Sequence, residues 1–224
     1  LSWRGIFYVF GIFFMIPAVI FSFAGREVKA QATKKGFFSS LIKSRNLWIL
    51  GTMWVFAAGA CLGLYFVLPL YLTKELGFDI RHANTIFSVS RIGGVLVSIL
   101  TGFIVDKFSL KKIIFMITLI AAILTALIAV KNIKFIEVFL FLQASISTAF
   151  FPVGLVTISR VFAREKRSMA TGLIVTLGVA FGLGIVPYLL GVAGDYISFR
   201  LGIMVLGILI ILSSGLTYFM KDLK

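Results

Sequence analysis

Seven stretches of the 224-residue chain stay apolar for long enough to cross a bilayer: approximately 5 to 24, 47 to 73, 83 to 105, 112 to 130, 135 to 159, 169 to 193 and 201 to 220. At about 1.5 Å rise per residue, a helix of about 20 residues spans the roughly 30 Å of hydrocarbon. Lipid offers no partner to a backbone N–H or C=O, so each stretch is expected to close its hydrogen bonds within itself, as a helix. Periodicity inside the stretches is weak because lipid and neighbouring helices are both apolar surroundings, and length and flanking charge decide the reading. The pattern predicts an all-α integral membrane protein with seven transmembrane helices. The first stretch exceeds the apolar core of a signal peptide and is read as a span. The chain opens on Leu1 rather than on methionine, so the sequence is expected to begin inside a longer protein.

Composition places the chain outside the soluble globular class, with 60% hydrophobic residues, 13% charged residues and a mean hydropathy of +1.10. A formal charge of +14 raises the possibility of nucleic-acid binding, but the basic residues lie between apolar runs rather than on one polar face. No nucleic-acid partner is expected; the charge reports topology, and the lipid bilayer is the partner it implies. The connection after span one, the turn after span three, the loop after span five and the tail together hold 15 Lys and Arg: Arg26, Lys29, Lys34, Lys35, Lys43, Arg45, Lys107, Lys111, Lys112, Arg160, Arg164, Lys166, Arg167, Lys221 and Lys224. The opposite side holds 6: Arg4, Lys74, Arg81, Lys131, Lys134 and Arg200. The positive-inside rule therefore puts the N-terminus outside and the C-terminus in the cytoplasm, in a multi-pass protein of the cell (inner) membrane. The single cysteine, Cys61, excludes an internal disulfide and a cysteine-based metal cluster, and reads as a small core residue. With no nucleophile beside a base, no metal-ligand cluster and no phosphate loop, no catalytic residue, metal site or cofactor is assigned, and the chain is not read as an enzyme.

One polar stretch, between the third and fourth spans, concentrates charge at a membrane surface: Gly102, Asp106, Lys107, Lys111 and Lys112. Their spacing resembles the loop signature of the major facilitator superfamily, G-x-x-x-D-[RK]-x-G-x-[RK]-[RK], with Ser109 standing where the pattern has glycine. The resemblance implies a gating role for these five residues. An internal repeat points the same way. Residues 2 to 12 align without a gap with residues 198 to 208, agreeing at Ser2 and Ser198, Arg4 and Arg200, Val9 and Val205, Gly11 and Gly207, and Ile12 and Ile208, with an aromatic before each Arg. Parallel repeats characterise the two halves of such transporters. The chain is accordingly divided into residues 1–24, the last helix of an N-terminal half; residues 25–46, a basic cytoplasmic linker; and residues 47–224, a C-terminal six-helix bundle. The rest of the N-terminal half is expected to be a missing partner. In the linker Phe37, Phe38, Leu41 and Ile42 are spaced for a short amphipathic helix on the inner leaflet. Residues 164 to 172 resemble the start of the family's eleventh helix, with Ser168 as its N-cap.

Packing is expected along small residues, Ser90, Gly94, Ser98 and Gly102 in the third span and Gly178 and Gly182 in the sixth. Pro69, Pro152 and Pro187 each remove a donor inside a span and favour bends. Arg91 is the one charge well inside a span. At about 100° per residue, Asn84, Gly94, Ser98 and Gly102 fall within about 60° of it, a polar face expected to look into the bundle. Counted from the outer ends of their spans, Tyr65, Arg91 and Gln143 each lie about 12 Å deep, near the midplane where transporters of this kind hold substrate. These three are the candidate substrate-binding residues, against the plainer reading of a structural Arg bonded to backbone carbonyls. His82 sits at an outer boundary and is read as interfacial, and no Asp or Glu lies deep in a span to relay protons.

The fold expected is thus a partial major-facilitator-type bundle. Its function is that of a secondary active transporter moving a small solute by alternating access, an anionic solute if Arg91 binds it. The alternative is a seven-helix receptor or another non-transport membrane protein; it shares the span count but leaves the repeat and the charged turn unexplained.

Overall fold

The structure, a computed structural model, describes residues 3–25, 36–130 and 135–220. Seven helices among these are long and apolar enough to cross a membrane: α1 (Trp3–Ala24), α3 (Arg45–Lys74), α4 (Ile80–Val105), α5 (Leu110–Ile128), α6 (Ile136–Val161), α7 (Arg164–Tyr196) and α8 (Phe199–Phe219). A short helix, α2 (Phe37–Ile42), precedes α3. The described residues contain no strand, and the molecule is an all-α, multi-pass integral membrane protein. Of the positions used in the sequence reading, Ser2, Arg26, Lys29, Lys34, Lys35, Lys131, Lys134, Lys221 and Lys224 lie outside the described residues.

The chain divides into two units, one holding α1 and the other α2 to α8. α1 is a single 22-residue helix with Pro17 inside it. In the second unit α4 runs along α6, α5 lies between α6 and α8, and α3 reaches α6, α7 and α8. Two apolar cores stack along α3. The core nearest the charged α4–α5 turn, at the hinge end of the bundle, holds Leu50, Met53 and Trp54 with Leu110, Ile114, Phe150, Val153 and Ile174, and Trp54 meets the Phe150 ring edge-on at 5.5 Å. The other holds Leu64, Leu68, Tyr71 and Leu72 with Ile128, Leu140, Phe199 and Ile203. The boundary between them falls at Gly59–Gly63 of α3, where the regular helix widens by one residue per turn.

Helix ends fall close to the limits expected from hydropathy except in α7, which begins at Arg164 rather than near residue 169. Ser168 therefore lies inside the helix, and Ala163 holds the N-cap position without a side-chain cap. Hydropathy locates where a helix meets lipid; Arg164, Lys166 and Arg167 are good helix formers that continue it past that point, and Glu165 suits the positive end of its dipole. α2 is also more than a lipid-facing segment. Leu41 is buried in the hinge-end core, and Lys166 Nζ donates to Ser40 Oγ at 2.9 Å, while Phe38 and Ile42 remain exposed.

The packed face of α4 agrees with the expected small-residue stripe at Ser90 and Gly94 and departs from it elsewhere. Its buried residues are Ala83, Ile86, Ser90, Gly93, Gly94, Thr101 and Val105, whereas Asn84 and Gly102 are exposed and Ser98 is half-buried. The strip centred on Arg91 lies beside the interface with α6 rather than in it. Ser145 and Phe141 of α6 approach so closely that only glycine fits at 93, which pulls the contact round the helix. In α7 the expectation for Gly178 and Gly182 is met, since both press on α3.

Candidate functional site

The widened turn of α3 organises the site. In it Leu64 N–H reaches back five residues to Gly59 O. A turn of this kind takes backbone carbonyls out of the regular ladder, and such turns are frequent at functional sites. Here side chains from neighbouring helices take up the carbonyls: Gln143 Nε2 of α6 donates to Ala60 O at 3.1 Å, and Arg91 Nη1 of α4 donates to Cys61 O at 2.9 Å. Gln143 Nε2 also donates to Thr125 Oγ1 of α5 at 3.1 Å, so the amide joins three helices. Tyr65, one turn along α3, lies with its ring face under the Arg91 guanidinium, 4.0 Å from the ring centroid, and donates its hydroxyl to Leu140 O at 2.9 Å. Phe87 flanks the same guanidinium at 5.5 Å.

The structure thus brings Arg91, Tyr65 and Gln143 together around Gly59–Gly63, but not as equals. Tyr65 and Gln143 are buried, 2% and 0% exposed, with their donors spent on the backbone carbonyls and the hydroxyl just named. Arg91 is half-buried and belongs to the strip of α4 that also carries the exposed Asn84 and Ser88 and the half-buried Ser98. A guanidinium offers five N–H donors, and one of them meets Cys61 O. The two rings contribute about 0.5–2 kcal/mol of cation–π attraction, against a cost of about 3 kcal/mol or more for an arginine at mid-span. Among the described residues His82 Nε2 lies 2.7 Å from Glu137 Oε1, between the ends of α4 and α6 far from the charged turn, and no described carboxylate pairs with Arg91.

The charged turn is built without any left-handed residue. Asp106 ends α4 with helical dihedrals, the N–H groups of Lys107 and Phe108 donate to Ile104 O at 3.1 and 3.2 Å, and Ser109 starts α5 in an extended conformation at φ −60°. Serine is accommodated there because nothing in the turn demands φ above zero. The residues of the signature divide into distinct tasks. Lys111 Nζ donates to Tyr218 O and Met220 O, each at 3.2 Å, and so caps the C-terminal, partially negative end of α8. Asp106, Lys107 and Lys112 are exposed, with no side-chain partner among the described residues, and a Cβ at Gly102 would meet nothing within 4 Å.

Sequence reasoning did not single out Glu75, the carbonyls of Ala60 and Cys61, Thr125 or the Glu137 partner of His82. Glu75 caps α8: its carboxylate accepts from the N–H of Phe199 and, at 3.3 Å, of Arg200, while Ser198 Oγ accepts from Leu201 N–H at 3.1 Å. The Ser-aromatic-Arg of the second repeat copy is therefore a capped helix start. Cys61 is buried as expected, with Sγ 3.5 Å from Thr148 Oγ1.

Seven helices long and apolar enough to cross a membrane define a multi-pass membrane protein, and the sequence itself narrows the class. The chain belongs to the Major Facilitator Superfamily, whose pattern it matches over residues 1–130 and again over residues 63–223. Two crystal structures of the peptide transporter POT, one in complex with sulfate and one with alafosfalin, share its fold at TM-scores of 0.71 and 0.70 and 17% identity. In each the match covers 79% of this chain and 38% of the POT chain. None of the curated proteins matches it by sequence.

Proposed function

We propose that this chain is the C-terminal half of a secondary active transporter, preceded by the last helix of the N-terminal half, and that it moves a small anionic solute by alternating access. Residues 1–24 supply that last helix, residues 25–46 the cytoplasmic linker and residues 47–224 the bundle, with the C-terminus in the cytoplasm of a cell membrane and the remaining N-terminal helices as partner. Arg91 carries the reading: a half-buried guanidinium at mid-span with donors to spare, beside a strip of accessible polar residues in an otherwise apolar helix. Intramembrane charges of this kind are retained for function. Tyr65 fixes the height and plane of the guanidinium, and Gln143 holds the widened turn that supplies its carbonyl, so Arg91 contacts the solute and the other two position it. Asp106 serves the gate. Its free carboxylate is suited to cationic groups or a helix N-terminus on the facing half when the hinge side closes.

Flux into sealed vesicles tests this reading. The complete transporter, reconstituted and offered a panel of small carboxylates and phosphate esters, is expected to exchange one of them across the bilayer. Binding of such a solute with no flux in either direction would favour the receptor.

A further inference from the structure

At the hinge end of the bundle, α4, α5 and α6 leave between them a groove of about 320 Å³ whose walls include Thr101, Ile104, Phe108, Met116 and Ile120, with Lys112 at one end. The Thr101 hydroxyl is spent on Val97 O at 2.6 Å, so the walls are apolar in effect. Ile104, Phe108 and Met116 are exposed in this unit, and in a membrane protein an apolar surface that no other helix covers meets hydrocarbon. We propose that the groove holds one acyl chain of an anionic phospholipid from the leaflet on the hinge side, with the lipid phosphate on the Lys112 ammonium.

Three observations support an acyl chain and a phosphate together. From Lys112 to Ile120 the groove runs along α5 for about 12 Å, close to the roughly 15 Å of one leaflet's hydrocarbon. Lys112 stands on the first turn of α5, at the depth of the headgroups, and basic pockets between helices at that level bind phosphate headgroups. The adjacent lysines differ in what they have left to give: Lys111 is committed to the end of α8, while Lys112 has no partner among the described residues. A second groove of about 370 Å³, between α3, α7 and α8, is lined by Phe56, Phe181, Leu189, Val205 and other apolar residues without a charge. It serves as an internal comparison with no headgroup preference.

The test is native mass spectrometry of the complete transporter released from nanodiscs made of equimolar phosphatidylglycerol and phosphatidylcholine. Phosphatidylglycerol is expected to be retained over phosphatidylcholine by roughly fivefold, the worth of one basic residue at an anionic surface. Lys112→Gln should bring the two lipids to parity, and Lys107→Gln should leave most of the preference. Ile104→Trp, which fills the groove, should strip lipid of both kinds from this site; Met116→Trp replaces it if Ile104→Trp does not purify. The proposal is overturned if Lys112→Gln keeps the preference, or if the unaltered transporter retains both lipids equally. It is equally overturned if the transporter emerges as a lipid-free dimer, which would give the groove to a second copy.

Discussion

Arg91 stands at mid-span with Cys61 O and the rings of Tyr65 and Phe87 as partners, and each partner constrains it differently. The carbonyl fixes one nitrogen, whereas the Tyr65 face fixes the plane of the fork and therefore the direction of the remaining donors. Two substitutions at Tyr65 separate ring from hydroxyl. Tyr65→Phe removes only the bond to Leu140 O, worth roughly 0.6 kcal/mol inside a membrane, and uptake should keep its affinity. Tyr65→Leu removes the ring face, and the apparent affinity for the solute should fall about tenfold, in line with the upper range of a desolvated cation–π contact. Equal uptake by both variants would show that the ring does not position Arg91. That Arg91 stands apart was legible in the sequence because a charge inside a span is conspicuous among apolar neighbours. That Cys61 is its partner was not, since the bond is to a backbone carbonyl, which any residue at that position would offer.

At the scale of elements, the two cores of the bundle meet where the widened turn of α3 packs on a similar widened segment, Gly178–Ile185, of α7. Backbone meets backbone there: a Cβ at Gly63 would come within 2.5 Å of Gly182 O, and one at Gly182 within 2.6 Å of Val55 O. Gly63→Ala should therefore lower stability by about 1–3 kcal/mol, the usual result of overpacking, in denaturant unfolding of the detergent-solubilised protein. Gly102→Ala, with open space around it, should be neutral or stabilising by up to about 1 kcal/mol. If the two glycines respond alike, the close approach does not hold the bundle together. The seven spans could be read from the sequence because their lengths and flanking lysines are set by the bilayer. The widened turns could not, because Gly59, Gly63, Gly178 and Gly182 look like ordinary packing glycines of a membrane helix. The start of α7 was misplaced at Ser168 for a related reason, that hydropathy reports lipid contact and not the hydrogen-bond ladder.

For the molecule as a whole, the proposed transport cycle requires the α4–α5 turn to face the cytoplasm and the site at Arg91 to open to each side in turn. A cysteine introduced by Ser109→Cys should react with a membrane-impermeant maleimide only when the reagent is on the cytoplasmic side; labelling from outside in sealed cells would invert the topology. Asp106→Asn removes the carboxylate proposed for the gate but leaves Arg91, about 15 residues and roughly 22 Å away along α4, untouched. Transport should slow while affinity stays within a few fold, and unchanged flux would remove the turn from the mechanism. The most direct measurement is uptake by Arg91 variants of the complete transporter, alongside the amount of folded protein in the membrane. A bidentate anion site predicts that Arg91→Lys, although still charged, binds solute much more weakly, and that Arg91→Ala abolishes uptake while reaching the membrane at normal levels. Normal uptake by Arg91→Ala, or its failure to fold, would contradict the anion site and leave Arg91 as a structural tie to Cys61 O.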